Sequence, residues 1–363
     1  MSLNHVDETM STPEIRGRLR PRQTDDVRIA AAVDKFKGTA SAHDVARAIG
    51  HACWELGYDC DEIPLADGGE GTLDILGGPN RTSVVTGPLG EPVKAEWRFH
   101  NNTAVIEMAR ASGLTLVGGP TTNDPVRAST IGTGELIDHA LDLGATRIIV
   151  CLGGSATTDG GLGALDAIRS PARLKAVDFI VACDVTTAFT DAARVFAPQK
   201  GASPTQVRLL TNRLEQLAQR YFETFGVDVT TIEGAGAAGG LAGALAALGA
   251  DLIPGFDMVA DEVNLDDRIA STDLVITAEG CFDATSAQGK VTGSVIDLAH
   301  SFDRPVAGVF GLIDLDDDLD ADIVRPNPCV SISDRYGLDR ALTEPLWCIE
   351  QAALEILRST KTP

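Results

Sequence analysis

The chain has 363 residues, 44% hydrophobic and 5% aromatic, with 37 glycines and 52 acidic against 30 basic side chains, a formal net charge of −22. That length accommodates two domains with ample core. The acidity excludes nucleic acid as a partner, because phosphate backbones are bound by clustered Lys and Arg, but a few local lysines still suit a small anionic ligand. No apolar run is long enough to span a membrane. The seven cysteines lack C-x-x-C spacing and the six histidines lack zinc spacing, which predicts buried thiols in a reducing compartment and no zinc site. Residues 1–26 are polar, lack a signal-peptide core and read as a disordered leader, so a cytoplasmic protein is expected.

Val27 to Val33 predicts a buried first strand, followed by Asp34-Lys35-Phe36-Lys37-Gly38. Ser41 then starts a helix whose apolar residues Val45, Ile49, Ala52, Cys53 and Leu56 recur at helical spacing until Gly57. A second strand, Tyr58 to Leu65, runs into Asp67-Gly68-Gly69-Glu70-Gly71 and a short helix. This alternation predicts a parallel sheet with functional loops at the carboxyl ends of its strands. Thr82–Thr86, Val93–Phe99 and Ala104–Met108 are shorter strands, and the alternation of Val93, Ala95, Trp97 and Phe99 with polar residues predicts antiparallel pairing. A helix is expected near Gly134–Leu143 and a buried strand at Ile148–Leu152, ahead of a helix from Leu162 to Ile168. Asp178–Cys183 is a further strand, and Ser203-Pro204-Thr205-Gln206 opens a long helix with a capping-box pattern. From Asp273 the parallel pattern resumes, with strands Leu274–Thr277, Pro305–Phe310 and Cys329–Ile332 between helices near Ala287–His300 and Glu344–Leu357. The expected fold class is therefore α/β with two α/β domains. Residues 27–78 and 266–363 would form a flavodoxin-like parallel-sheet domain, and 79–265 a mixed α/β domain inserted between them. The acidic run Asp314 to Asp320 lacks the spacing of a calcium loop and reads as solvated.

Four loops share one grammar, an apolar strand ending in glycine plus charge. Asp34–Gly38 carries Lys35 and Lys37. Asp67–Gly71 carries Asp67 and Glu70. Glu279-Gly280-Cys281-Phe282-Asp283 carries two carboxylates, with Gly289-Lys290 beyond. Gly153-Gly154-Ser155-Ala156-Thr157-Thr158-Asp159-Gly160-Gly161 adds small hydroxyls and one more acid. Together they predict a site for a phosphorylated ligand and Mg²⁺, lysines facing phosphate oxygens and hard carboxylates holding a hydrated cation. No Walker A loop is present, since Val291 follows Gly289-Lys290. A formal G-x-G-x-x-G at Gly234, Gly236 and Gly239 follows a segment too polar for the central strand of a dinucleotide fold. Those glycines serve either close packing or a nucleotide phosphate at the start of helix Leu241–Leu248.

These motifs, in this order, resemble the type-I glycerate kinase family, the bacterial ATP-dependent family. The carriers are Asp34–Gly38, Pro64–Thr72, Gly132–Glu135, Leu152–Gly161, Ala182–Val185, Pro198–Ala202, Gly234–Gly240 and Glu279-Gly280, and the resemblance covers Ile29 to Leu357. It implies a flavodoxin-like domain built from both chain ends, and transfer of the ATP γ-phosphoryl to D-glycerate with Mg²⁺, giving 2- or 3-phosphoglycerate. Small-molecule substrates are the implied partners, with a homodimer left open. On this reading Lys35 and Lys37 contact phosphate or the glycerate carboxylate, and Asp67 or Asp184 is the base or orienter of the attacking hydroxyl. Gly153, Gly154 and Ser155 cradle phosphate or substrate. Asp159, Glu70, Glu279 and Asp283 are candidate metal ligands, and Lys200 and Lys290 are further phosphate contacts along with Gly236 and Gly239.

The chain also departs from the family pattern. Ala278 and Cys281 stand where glycine and arginine are usual, Thr187 and Ala188 replace asparagine and proline, and the stretch Ala167–Asp178 is shortened. Cysteine cannot imitate the bidentate contact of a guanidinium. A degenerate relative that binds nucleotide or hydroxy acid as a sensor without turnover is the alternative reading, and a nicotinamide-dependent oxidoreductase using Gly234–Gly239 is a third.

Overall fold

The computed structural model describes residues 27–286, 290–315 and 323–360. The leader, Gly289 and Asp316–Asp320 of the acidic run lie outside the described residues. The strands are β1 (Arg28–Val33), β2 (Asp59–Pro64), β3 (Arg81–Thr86), β4 (Pro92–His100), β5 (Thr103–Glu107), β6 (Arg147–Cys151), β7 (Asp178–Ala182), β8 (Asp251–Ile253), β9 (Leu274–Asp283), β10 (Val306–Asp314) and β11 (Cys329–Ser331). They form an α/β fold with two sheets. The first has the order β11-β10-β9-β1-β2 and is parallel throughout; the second has the order β3-β4-β5-β6-β7-β8. In the second sheet β4 pairs antiparallel with both β3 and β5, and the pairs from β5 to β8 are parallel.

Local chemistry accounts for the main elements. Helix Ala42–Leu56 begins where the Ser41 side chain accepts the Asp44 N–H and ends at Gly57, whose φ of 80° is cheap only for glycine. Its apolar stripe packs with Ile349, Ala353 and Ile356 of helix Pro345–Ser359 against Ile29, Ala31 and Val33. This shared core brings the two ends of the described chain onto one sheet. Helix Pro204–Phe225 starts with the expected capping box between Ser203 and Gln206. The opposite face of β1 (Ala30, Ala32) lies in a cluster that also contains Ile149 and Cys151 of β6 and Ile180 of β7. The two sheets thus share apolar contacts, and the carboxyl ends of β1 and β6 are held near one another.

Two expectations need correction. The segment Glu279–Asp283 is not a loop. It continues β9, with Glu279 opposite Phe310, Cys281 opposite Leu312 and Asp283 opposite Asp314. Buried Phe282 stacks on Phe310 at 4.5 Å between ring centroids, and this apolar pair extends the pairing past the glycine. The three-residue β8, beginning with Asp251, was not foreseen because it is too short and polar to show a period. No helix among the described residues is long and apolar enough to cross a membrane.

Candidate active site

In the parallel sheet the strand order reverses beside β1, with β2 on one side and β9 on the other. Open α/β sheets bind ligands outside the carboxyl ends of the strands at such a switch point. β1 ends as the Asp34 N–H donates to Ala278 O at 2.9 Å, and a tight turn follows in which the Thr39 and Ala40 N–H groups both donate to Phe36 O. Lys35 Nζ reaches across to donate to Glu70 O at 2.7 Å and lies 3.9 Å from Asp67 Oδ1, tying this turn to the loop after β2. The Lys37 ammonium has no hydrogen bond or ion pair to a described residue.

The loop after β2 meets the second sheet by backbone contact. A Cβ on Gly153 would lie 2.9 Å from Gly69 Cα, so the approach of these two loops requires glycine. Glu107, buried at the end of β5, accepts the N–H groups of Gly71 and Leu73 at 2.8 and 2.9 Å and Arg110 Nε at 3.1 Å. It anchors the Glu70 loop to the second sheet, a role with no local sequence signal.

A cavity of about 690 Å³ opens at this junction. Nine of the expected residues line it: Lys35, Lys37, Asp67, Glu70, Gly153, Gly154, Glu279, Asp283 and Lys290. Asp34 lines it too, in a motif whose lysines carry the more obvious phosphate-binding signal. Burial pushes the Asp34 carboxyl up to about 6 against the opposing pull of Lys35. Glu279 is 6% exposed, and burial pushes it up to about 7, moderated by the Ser286 and Thr292 hydroxyls, while the nearby Asp34 charge adds to the rise. Among the described residues its Oε1 has no hydrogen-bond partner. Lys290 Nζ lies 3.7 Å from Asp283 Oδ1. Asp283 also accepts the Thr285 hydroxyl and N–H, and these bonds hold its carboxyl below the usual range.

The other expected site residues sit elsewhere. Asp159 is buried and accepts Thr130 N–H at 2.8 Å, Thr130 Oγ1–H at 2.9 Å, Gly161 N–H at 3.1 Å and Gly163 N–H at 3.2 Å. Its lone pairs secure the start of helix Leu162–Ala167 to the loop before helix Ile131–Asp142, which leaves little for a metal. Lys200, 4% exposed, donates to Ser155 Oγ and Thr157 O at 2.7 Å each, and burial pushes its ammonium down to about 7. It supports the loop from beneath, and Ser155 points into that contact beside Gly154. Asp184 accepts Gly255 N–H at 2.6 Å and is not among the residues lining the cavity. A Cβ on Gly236 would lie 2.5 Å from Ala188 O and one on Gly239 2.1 Å from Thr157 O, so close packing explains both glycines. Among the described residues no group of three or more acidic, Cys or His side chains is arranged to hold a metal, and the four expected ligands Asp159, Glu70, Glu279 and Asp283 do not form one centre. All seven cysteines are free, and Cys281 is the exposed one.

The model of the glycerate kinase family matches residues 29–171 and 168–361. The chain belongs to the glycerate kinase family. The two matched segments meet at the short connection after Ala167, where the sequence is expected to be trimmed. Among its relatives are the glycerate 2-kinase of Escherichia coli (strain K12), 40% identical over 325 residues, and the glycerate kinase of Bacillus subtilis (strain 168), 39% identical over 330. The first alignment covers 78% of this chain and 85% of the relative, the second 80% and 86%. A crystal structure described as "putative glycerate kinase 2" from Salmonella typhimurium LT2 matches with a TM-score of 0.76 at 34% identity, covering 92% of this chain and 98% of that one. This member of the glycerate kinase family is an enzyme, a kinase.

Proposed function

We propose that the protein transfers the γ-phosphoryl group of ATP to a hydroxyl of D-glycerate, assisted by Mg²⁺, in the cleft between the two sheets. The observation that carries this reading is the convergence of Lys35, Lys37, Asp67, Glu70, Gly153, Glu279 and Lys290 on one cavity in a chain of this family. Phosphoryl transfer depends mainly on positioning and charge stabilisation, and the cavity lining is rich in groups of that kind.

The residues fit Mg²⁺ in the mode that uses one or two carboxylates together with substrate phosphates. Glu279 supplies a buried oxygen without a partner, and Asp34 lies close enough for the two charges to interact. These two would hold the cation, with Glu70 and Asp283 also on the cavity wall. When bound, the ion neutralises phosphate charge and orients the oxygens. Lys37, unpaired and exposed, faces the phosphates, and Lys290 adds a second ammonium. Lys35 holds the Asp67–Glu70 loop in place. Asp67 accepts the proton of the attacking hydroxyl or orients it, whereas Asp184, which does not line the cavity, accepts the Gly255 N–H behind the Asp67 loop. Gly153 and Gly154 let the acceptor approach the backbone.

An assay of ADP release with D-glycerate, ATP and Mg²⁺ tests the proposal, and phosphorus NMR of the product identifies the acceptor hydroxyl. The expected product is 2-phosphoglycerate, by analogy with the name of the E. coli relative. Nucleotide binding with no turnover would replace this reading with the sensor, which the Cys281 and Ala278 departures would then explain.

A further inference from the structure

We propose that the purine base of the nucleotide lies on an apolar shelf formed by Leu312, Leu338 and Leu342 at one end of the cleft, with the acceptor acid at the opposite end beside Asp67 and Gly153. This placement rests on the kinase reading above and adds which end of the cavity takes which substrate.

The cavity is chemically two-ended. The charged Asp34, Lys35, Lys37, Asp67 and Glu70, from the turns after β1 and β2, line it together with Gly153 and Gly154 of the second sheet, whereas β10 and the helix Leu338–Thr343 contribute leucines. Leu312, Leu338 and Leu342 are 43%, 61% and 55% exposed, although each lines the cavity. Leu338 and Leu342 are four apart on one short helix and so share a face. Leu312 pairs in register with Cys281 on the neighbouring strand. Leaving such side chains in water forgoes the gain from burying them, and a cluster of them within a ligand-sized cleft marks a binding surface.

Substrate chemistry selects the occupant. A small hydroxy acid carries a carboxylate and hydroxyls and offers no apolar face to cover three leucines. The flat base is the one part of the two substrates that does. The floor between the two ends is backbone. A Cβ on Gly311 would lie 2.2 Å from Gly280 O, and Gly280 in turn packs against Phe36. Gly280 and Gly311 thus add no side chain to the lining between the leucines and Lys37, which leaves room there for a chain of phosphates. Glu279, with its unpartnered buried Oε1, and Lys290 border that path.

The test uses the full-length protein with Leu338→Glu and Leu342→Glu, both at exposed positions where folding tolerates charge. Each variant is expected to raise KM for ATP at least about tenfold while KM for D-glycerate stays within about twofold, a factor of ten being about 1.4 kcal/mol. Without turnover as a readout, the affinity for a fluorescent N-methylanthraniloyl-ADP should fall by a similar factor. In the unmutated protein ADP, but not D-glycerate, should slow alkylation of Cys281. A rise in KM for D-glycerate instead would show that the ends are reversed. Unchanged KM values and affinity with turnover intact would place the base elsewhere and leave the kinase reading standing. An unmutated protein that neither turns over nor binds the fluorescent nucleotide would overturn both.

Discussion

The turn after β1 and the loop after β6 follow the same pattern in the sequence, an apolar strand giving way to glycine and charge, yet their polar groups meet different fates. After β1, Lys37 has no hydrogen bond or ion pair to a described residue, and both it and Asp34 line the cavity. After β6, Ser155 and Asp159 are engaged by Lys200, Thr130 and the amides of their own loop. The glycines Gly153 and Gly154 are the part of the second motif that reaches the cleft. A motif of this type therefore marks a place where backbones meet. Whether its charges act on a ligand depends on how many donors the fold has already aimed at them.

Several substitutions would break or sharpen this contrast. The largest effect is expected for Asp67→Asn, which should lower kcat by about a hundredfold or more if Asp67 handles the hydroxyl proton, on the scale of general base catalysis, with unfolding in urea unchanged. Wild-type turnover in this variant would remove Asp67 from the chemistry. Glu279→Gln should abolish most activity while making the ligand-free protein more stable at pH 8 by about 1–3 kcal/mol, because the amide removes a carboxylate charge that burial penalises. A less stable variant would mean that the carboxylate is satisfied in solution. Lys37→Ala should reduce kcat/KM about tenfold, the scale of one charged contact, with no loss of stability. Unchanged kinetics would exclude this lysine from the site.

Lys200 offers the opposite signature and the smallest effect on catalysis. Its pKa of about 7 in the folded protein lies below the ordinary 10.5, so between those values the unfolded chain holds more protons than the folded one. Stability contributed through this group rises as pH increases from about 7 towards 10.5, by at most about 5 kcal/mol. Lys200→Met should flatten that rise in urea titrations while changing kcat less than Lys37→Ala does. A tenfold fall in kcat with an unaltered pH slope would instead make Lys200 part of the machinery.

Much of the fold is legible in the sequence. The caps at Ser41, Gly57 and Ser203, the alternation in β4 and the all-apolar β1 depend on residues a few positions apart, and each element formed where local chemistry called for it. The loops at the carboxyl ends of β1 and β2 were legible for the same reason. The extension of β9 was not, because the Phe282–Phe310 stack that sustains it joins different strands.

The amino-acid order alone determined which segments are strands and helices and which turns carry glycine and charge, since those depend on steric preference and near-neighbour periodicity. Tertiary structure alone decided which charges remain available. Thr130 reaches Asp159 across 29 residues, and Lys200 reaches Ser155 across 45. Gly69 meets Gly153 from a different sheet. A carboxylate or ammonium is neutralised by whatever the packed chain sets within about 3 Å of it, and no local pattern records that distance.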